Sequence, residues 1–142
     1  MASNALYVVD TNVLISAAMF PDSQPRKALD AARTHGSILL SRALLAELAD
    51  VIRRPKFDHY ISHDDRDLFL ASLYRSSRML LEVQVAITAC RDPKDNHILE
   101  LGVSGGATCI ITGDDDLLAL DPFQGIPVRT PDAFLASLTA DQ

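Results

Sequence analysis

Five carboxylates stand where hydrophobic segments give way to polar ones: Asp10, Glu47, Asp95, Asp114 and Asp116. Carboxylate oxygens are ligands for hard cations such as Mg2+ and Mn2+, which take one or two acids each and complete their shell with water and substrate phosphate. Four or five acids brought together would suit one or two such ions. The chemistry that follows is phosphodiester hydrolysis, in which one ion polarises the phosphoryl oxygen and acidifies the attacking water, and a second stabilises the leaving oxygen. Each acid also has a plainer reading. Asp92 and Asp95 can cap a helix and complement its dipole, as can Asp114 to Asp116, and Glu47 can be a solvated helix side chain. Asp10 directly follows a buried apolar run, an expensive place for an unpaired charge.

The elements that would position these acids can be read from periodicity and breakers. Leu6 to Val9 is a short β-prone run, and Asn12 to Phe20 a helix stopped by Pro21. A second helix around Ala28 to Ala32 ends near Gly36, and Ile38 to Leu40 is a second buried strand. Ser41 caps a third helix that places Leu44, Leu45, Leu48, Val51 and Ile52 on one side and ends before Pro55. Ser62 opens a fourth, with Leu68, Leu70, Leu73 and Tyr74 as expected buried contacts, followed by a strand over Met79 to Val83. Asp92-Pro93 starts a helix running to about Gly102. Ala107 to Thr112 is the clearest strand, a short strand lies near Val128, and Thr130-Pro131-Asp132 caps a last helix through Leu138. Strands alternating with helices predict a three-layer α/β/α fold with a parallel sheet, whose ligands bind at the strand carboxyl ends where the strand order reverses. Asp10 and Asp114 both fall just past such ends.

Composition bounds the setting. The 142 residues carry 13 basic and 19 acidic side chains, a net charge of −6, which excludes a strongly basic nucleic-acid clamp. Only Glu47, Glu82 and Glu100 are Glu; the other acids are Asp, which favours caps, turns and hard-cation sites. Assigning five acids to a metal site leaves the remaining surface nearly neutral. At 48% apolar residues, one domain over 1–142 can bury a sufficient core without staples. The cysteines, Cys90 and Cys109, have no metal-ligand or disulfide-framework spacing. No apolar run approaches the roughly 18 residues of a membrane helix, and no secretory signal is recognisable, so a cytoplasmic location is expected. Seven of the basic residues, Arg26, Lys27, Arg33, Arg42, Arg53, Arg54 and Lys56, fall in one stretch suited to phosphate contact. Arg42, close in sequence to Glu47, is the first individual to consider.

Val8-Val9-Asp10-Thr11-Asn12-Val13-Leu14, Glu47 in an apolar helix, Asp92-Pro93-Lys94-Asp95-Asn96 and Ile111-Thr112-Gly113-Asp114-Asp115-Asp116-Leu117-Leu118 together resemble the successive acidic motifs of the PIN-domain nucleases. The order and spacing match over nearly the whole chain. Pro127-Val128-Arg129-Thr130-Pro131 with Phe134-Leu135 resembles the end of the VapC-like subgroup regarded as toxin components of toxin–antitoxin pairs. The resemblance implies a five-stranded parallel sheet ordered 3-2-1-4-5 with helices on both faces. It also implies a catalytic, metal-binding quartet of Asp10, Glu47, Asp95 and Asp114, with Asp116 as an accessory ligand and Asp92 as a helix cap. Thr112 would orient a carboxylate or water from behind the ligands, and Thr11 and Asn12 would fix the turn that carries Asp10.

Competing motifs fit the chain less well. Gly102-Val103-Ser104-Gly105-Gly106 matches the hydrolase G-x-S-x-G pattern, but it follows a helix rather than a strand, and no histidine follows it in the chain. A helix C-terminus is its plain reading. A haloacid-dehalogenase-like phosphatase would need a second Asp at the position of Asn12 and a lysine at a strand end. His59 and His63 are spaced i, i+4 but straddle an expected helix start. The resemblance to the PIN-domain nucleases implies a Mg2+- or Mn2+-dependent endoribonuclease acting through metal-activated water, with RNA as substrate, a small antitoxin protein as expected partner and a homodimeric state. The alternative from another class is a PIN-like binding module without turnover.

Overall fold

The computed structural model describes residues 4–140; residues 1–3 and 141–142, the extremes of the expected 1–142 domain, lie outside the described residues. Five strands form one parallel sheet in the order β3-β2-β1-β4-β5: β1 Leu6–Val9, β2 Ser37–Ser41, β3 Ser77–Leu80, β4 Cys109–Ile111 and β5 Val128–Arg129. Helices α1 Thr11–Met19 and α2 Gln24–His35 join β1 to β2, and α3 Arg42–Ile52 and α4 His63–Ser76 join β2 to β3. Helix α5 Pro93–Gly105 leads into β4, the single turn α6 Asp115–Leu118 precedes β5, and α7 Pro131–Ala140 follows it. This is the fold class that the sequence implies.

A sheet covered on both faces needs strands that are apolar throughout rather than alternating. Val8, Val9, Leu39, Leu40, Ile110 and Ile111 meet that need and are fully buried, each worth about 1.5–3 kcal/mol of transfer free energy. The helices start where short polar side chains can take an orphan backbone N–H. Ser23 accepts from Arg26 N, Ser41 from Leu44 N, Ser62 from Asp65 N and Asp92 from Lys94 N. Helix α5 continues to Gly105 instead of stopping near Gly102. It ends at Gly106, whose φ of 67° is left-handed and whose N–H reaches back to the last turn.

Two local expectations are corrected. The third strand spans Ser77–Leu80, not Met79 to Val83, because its partner β2 is used up: Ile38 to Ser41 pair with Ser77 to Leu80, and no strand edge remains for Leu81 or Val83. In α4, Leu73 is buried as expected and Leu70 half-buried, but Leu68 and Tyr74 are 64% and 56% exposed. The inward stripe of α4 is carried by Leu73 and Arg66 instead. Arg66 is enclosed with its Nη2 donating to Asp58 Oδ1 at 2.7 Å and to the Ile61 carbonyl at 2.9 Å, while its buried Nη1 has no partner among the described residues.

The strand order reverses beside β1. The chain leaves β1 toward β2 on one side and returns to β4 on the other, so the carboxyl ends of β1 and β4 open a crevice. Val9 pairs with Ile111, and Asp10 N donates to the Ile111 carbonyl at 2.9 Å. One residue further on, Asp10 and Thr112 face each other at the mouth of that crevice.

Candidate metal centre

Asp10 occupies the N-cap position of α1, yet its side chain makes no cap hydrogen bond. It accepts instead from Thr112 Oγ1 at 2.7 Å, and it is only 7% exposed. The same Thr112 oxygen accepts from the Asp114 backbone N–H at 3.0 Å, so one fully buried hydroxyl links the end of β1 to the turn after β4. Asp114 caps α6, its Oδ1 accepting from Asp116 N at 2.8 Å. Glu47 reaches the site from α3, thirty-six residues along the chain from Thr11, whose hydroxyl donates to Glu47 Oε2 at 3.0 Å.

Asp10, Glu47, Asp95 and Asp114 line one cavity of about 220 Å³. Within this region the carboxylate oxygens of Asp95, Asp114 and Asp116 come within 4.8 Å of one another. Asp10 and Glu47 border the cavity but stand outside that trio, each tied to a threonine hydroxyl. Asp116 belongs to the trio and is exposed, at the rim rather than on the cavity wall. Asp92 lines the cavity while serving as the α5 cap. Asn12 is exposed and also borders the cavity.

The electrostatics are those of crowded carboxylates that repel one another. Burial pushes the Asp10 carboxyl above its usual range; the Thr112 hydrogen bond and the Thr11 N–H work against this, and Asp114 and Glu47 add repulsion. Asp95 is pushed up to about 6, first by desolvation and then by the charge of Asp114, with Asp10 and Asp92 adding to it. Three close, all-oxygen, mutually repelling ligands are the donor set of a hard divalent cation, so the residues fit such an ion. The thiols do not compete for this role. Burial pushes Cys109 up to about 11 and raises Cys90 as well, which keeps both protonated at neutral pH.

Of the basic stretch, only Arg54 and Lys56 line the acidic cavity, where Lys94 of α5 joins them. Arg42 is exposed at the first position of α3 and does not line it. Arg26 and Arg33 border a different cavity, between α2 and α4. The sequence signal for Arg54 and Lys56 is their position: they flank Pro55, where a 3-10 turn at Pro55–Phe57 bends the chain back beside the end of α3. His59 and His63 are exposed, with His63 Nε2 4.0 Å from Asp58.

Residues 7–116 match the family model of the PIN domain. The chain belongs to the PIN-domain family. PIN domains are nucleases as a family and use divalent metals, which agrees with the acidic cluster. A sequence relative of this PIN domain is an uncharacterized protein of Methanocaldococcus jannaschii, 32% identical over 114 residues that make up 80% of this chain and 73% of that one. Among solved structures, VapBC2 from Rickettsia felis, bound to a DNA fragment from its promoter, is similar with a TM-score of 0.58 at 13% identity, covering 88% of this chain and 98% of that one. PAE2754 from Pyrobaculum aerophilum gives a TM-score of 0.54 at 17% identity over 98% of this chain and 92% of that one. At these identities the two structures attest the PIN fold. No helix among the described residues of this PIN domain is long and apolar enough to cross a membrane.

Proposed function

We propose that this PIN domain is a metal-dependent endoribonuclease and the toxin of a toxin–antitoxin pair. The observation that carries the nuclease reading is the convergence of Asp95, Asp114 and Asp116 within 4.8 Å, in a crevice that Asp10 and Glu47 also line. Asp95, Asp114 and Asp116 would hold the ion most directly, with Asp10 and Glu47 as further oxygen ligands. Bound there, Mg2+ or Mn2+ supplies Lewis-acid polarisation of a phosphoryl oxygen and acidifies a water for attack.

The chain's own residues supply position and charge. Thr112 holds Asp10 and the Asp114 turn at a fixed separation, and Thr11 fixes Glu47, so the ligands are preorganised by neutral donors that add no competing charge. Arg54, Lys56 and Lys94 ring the acids and can bind the phosphates on either side of the scissile bond, which the carboxylates alone would repel. The toxin role and the protein partner rest on the VapC-like motif pattern, on the likeness in fold to VapBC2 and on the apolar side chains left outside. Phe20, Tyr60, Leu68 and Tyr74 are exposed, and such surface suits an antitoxin or a second copy of the chain.

The decisive experiment incubates purified protein with single-stranded RNA, single-stranded DNA and a phosphomonoester, each with Mg2+, Mn2+ or chelator. Cleavage of RNA with metal, none in chelator, and loss in Asp114→Asn support the reading. Undiminished RNA cleavage in chelator, or in Asp114→Asn, overturns it. Growth arrest on expression, relieved by the same substitution, tests the toxin role.

A further inference from the structure

A second cavity, of about 460 Å³, opens on the other side of Asp114, between α1, the start of α2 and the start of α7. Asn12 and Asp114 line both cavities, so the two meet at the carboxyl ends of β1 and β4. Their linings differ in kind. Ser16, Gln24 and Thr130 offer neutral donors and acceptors to the larger cavity, and Val13, Pro25 and Pro131 offer apolar walls. Among the described residues no Lys or Arg lines it, whereas three cations line the acidic one. Gln24 Nε2 donates to Asp132 Oδ1 at 2.8 Å, which ties α2 to the first turn of α7.

A phosphate entering this cavity would find no cation and would face Asp114 and Asp132. The volume lies within the range of small-ligand sites, where apolar walls and a few placed polar groups fix orientation. A flat, neutral ring with hydrogen-bonding edges and apolar faces satisfies every part of the lining. We propose that this cavity binds the nucleobase of a nucleotide adjoining the phosphate at the acid cluster, and so sets a base preference beside the cleaved bond. A single strand alternates charged phosphates with neutral bases. The surface repeats that alternation, with acids and cations on one side of Asp114 and a cation-free, partly apolar pocket on the other. A base paired in a duplex keeps its edge occupied and its faces stacked, so the pocket selects looped or single-stranded RNA. The inference rests on the nuclease reading above and deepens it.

Two arms test it. In chelator, titration with uncharged adenosine, guanosine, cytidine and uridine is followed by NMR at the backbone amides of Ser16, Gln24 and Thr130. At least one nucleoside is expected to shift these amides, and Ser16→Phe, which fills the cavity, to abolish the shifts. In the second arm, wild type, Ser16→Phe and Gln24→Ala cut a pool of short RNAs of randomised sequence. The variants are expected to flatten the base preference at one position next to the cut and to raise KM several-fold. Gln24 is exposed, so its replacement keeps the test open if Ser16→Phe does not fold. No nucleoside shift, together with an unchanged cleavage pattern in Gln24→Ala, overturns the proposal. If wild type cuts no RNA, the nuclease reading falls by itself, and the nucleoside arm alone decides the pocket.

Discussion

Thr112 and Asp10 lie opposite each other one step beyond the β1–β4 ladder, and the Thr112 hydroxyl donates to Asp10 Oδ2 at 2.7 Å while accepting from Asp114 N. This hydroxyl is fully buried and is the junction through which two acids distant in sequence share one geometry. Thr112→Val keeps the shape and removes both hydrogen bonds, leaving a buried carboxylate and a backbone N–H without that partner. The expected cost is about 1–3 kcal/mol of stability, with weakened Mn2+ affinity. Thr112→Ser retains the hydroxyl and should restore most of both. Denaturant unfolding and Mn2+ calorimetry on the pair check this; a Val variant as stable and as metal-binding as wild type would refute it.

Asp10→Asn separates stability from activity. Burial raises the Asp10 carboxyl, so in chelator the anion is a burden on the fold that the amide lacks. The variant should unfold at the same temperature as wild type or higher in chelator, yet lose RNA cleavage by about 100-fold or more. Melting curves in chelator alongside single-turnover cleavage measure the two effects.

The acid cluster predicts a pH dependence with a definite sign. The Asp95 carboxyl is pushed up to about 6 from the ordinary aspartate value of 3.8, so the folded protein binds this proton more tightly than the unfolded chain. Its contribution favours the fold fully below the unfolded value and is lost as pH rises through about 6. In chelator, the melting temperature of wild type relative to Asp95→Asn should therefore fall between pH 4 and pH 7. Divalent metal competes with the same proton, so Mn2+ affinity should weaken as pH drops below about 6. A wild-type-minus-variant difference that does not vary with pH would contradict the assignment.

Arg54 and Lys56 differ from Arg42 in where the chain turns. Arg54 pairs loosely with Asp50, at 3.6 Å, and remains available to the cavity. Arg54→Ala and Lys56→Ala should each raise KM for RNA and reduce the salt dependence of binding by about 0.7 in log–log slope, as expected for one lost phosphate contact on a single strand. Arg42→Ala should change neither. Binding to RNA measured over a salt series distinguishes the three variants.

What the sequence determined by itself was local. A short apolar run ending in Asp10, Ser and Asp caps before periodic helices, and acids at element ends all follow from interactions within a few residues. The parallel α/β class and the candidate acids Asp10, Glu47, Asp95, Asp114 and Asp116 were legible for that reason. Tertiary structure decided whatever depends on partners far along the chain. The third strand stops at Leu80 because β2 offers no further edge, and Leu68 and Tyr74 stay exposed because no described residue covers them. Arg54 and Lys56, rather than Arg42, meet the acids because a turn at Pro55 redirects the chain. The Thr11–Glu47 bond, the Thr112 junction and the two unlike cavities meeting at Asp114 exist only once the strand order reverses beside β1. A carboxylate's type and spacing can be read from the chain, whereas its neighbours, and through them its charge state, are set by residues that folding brings from elsewhere.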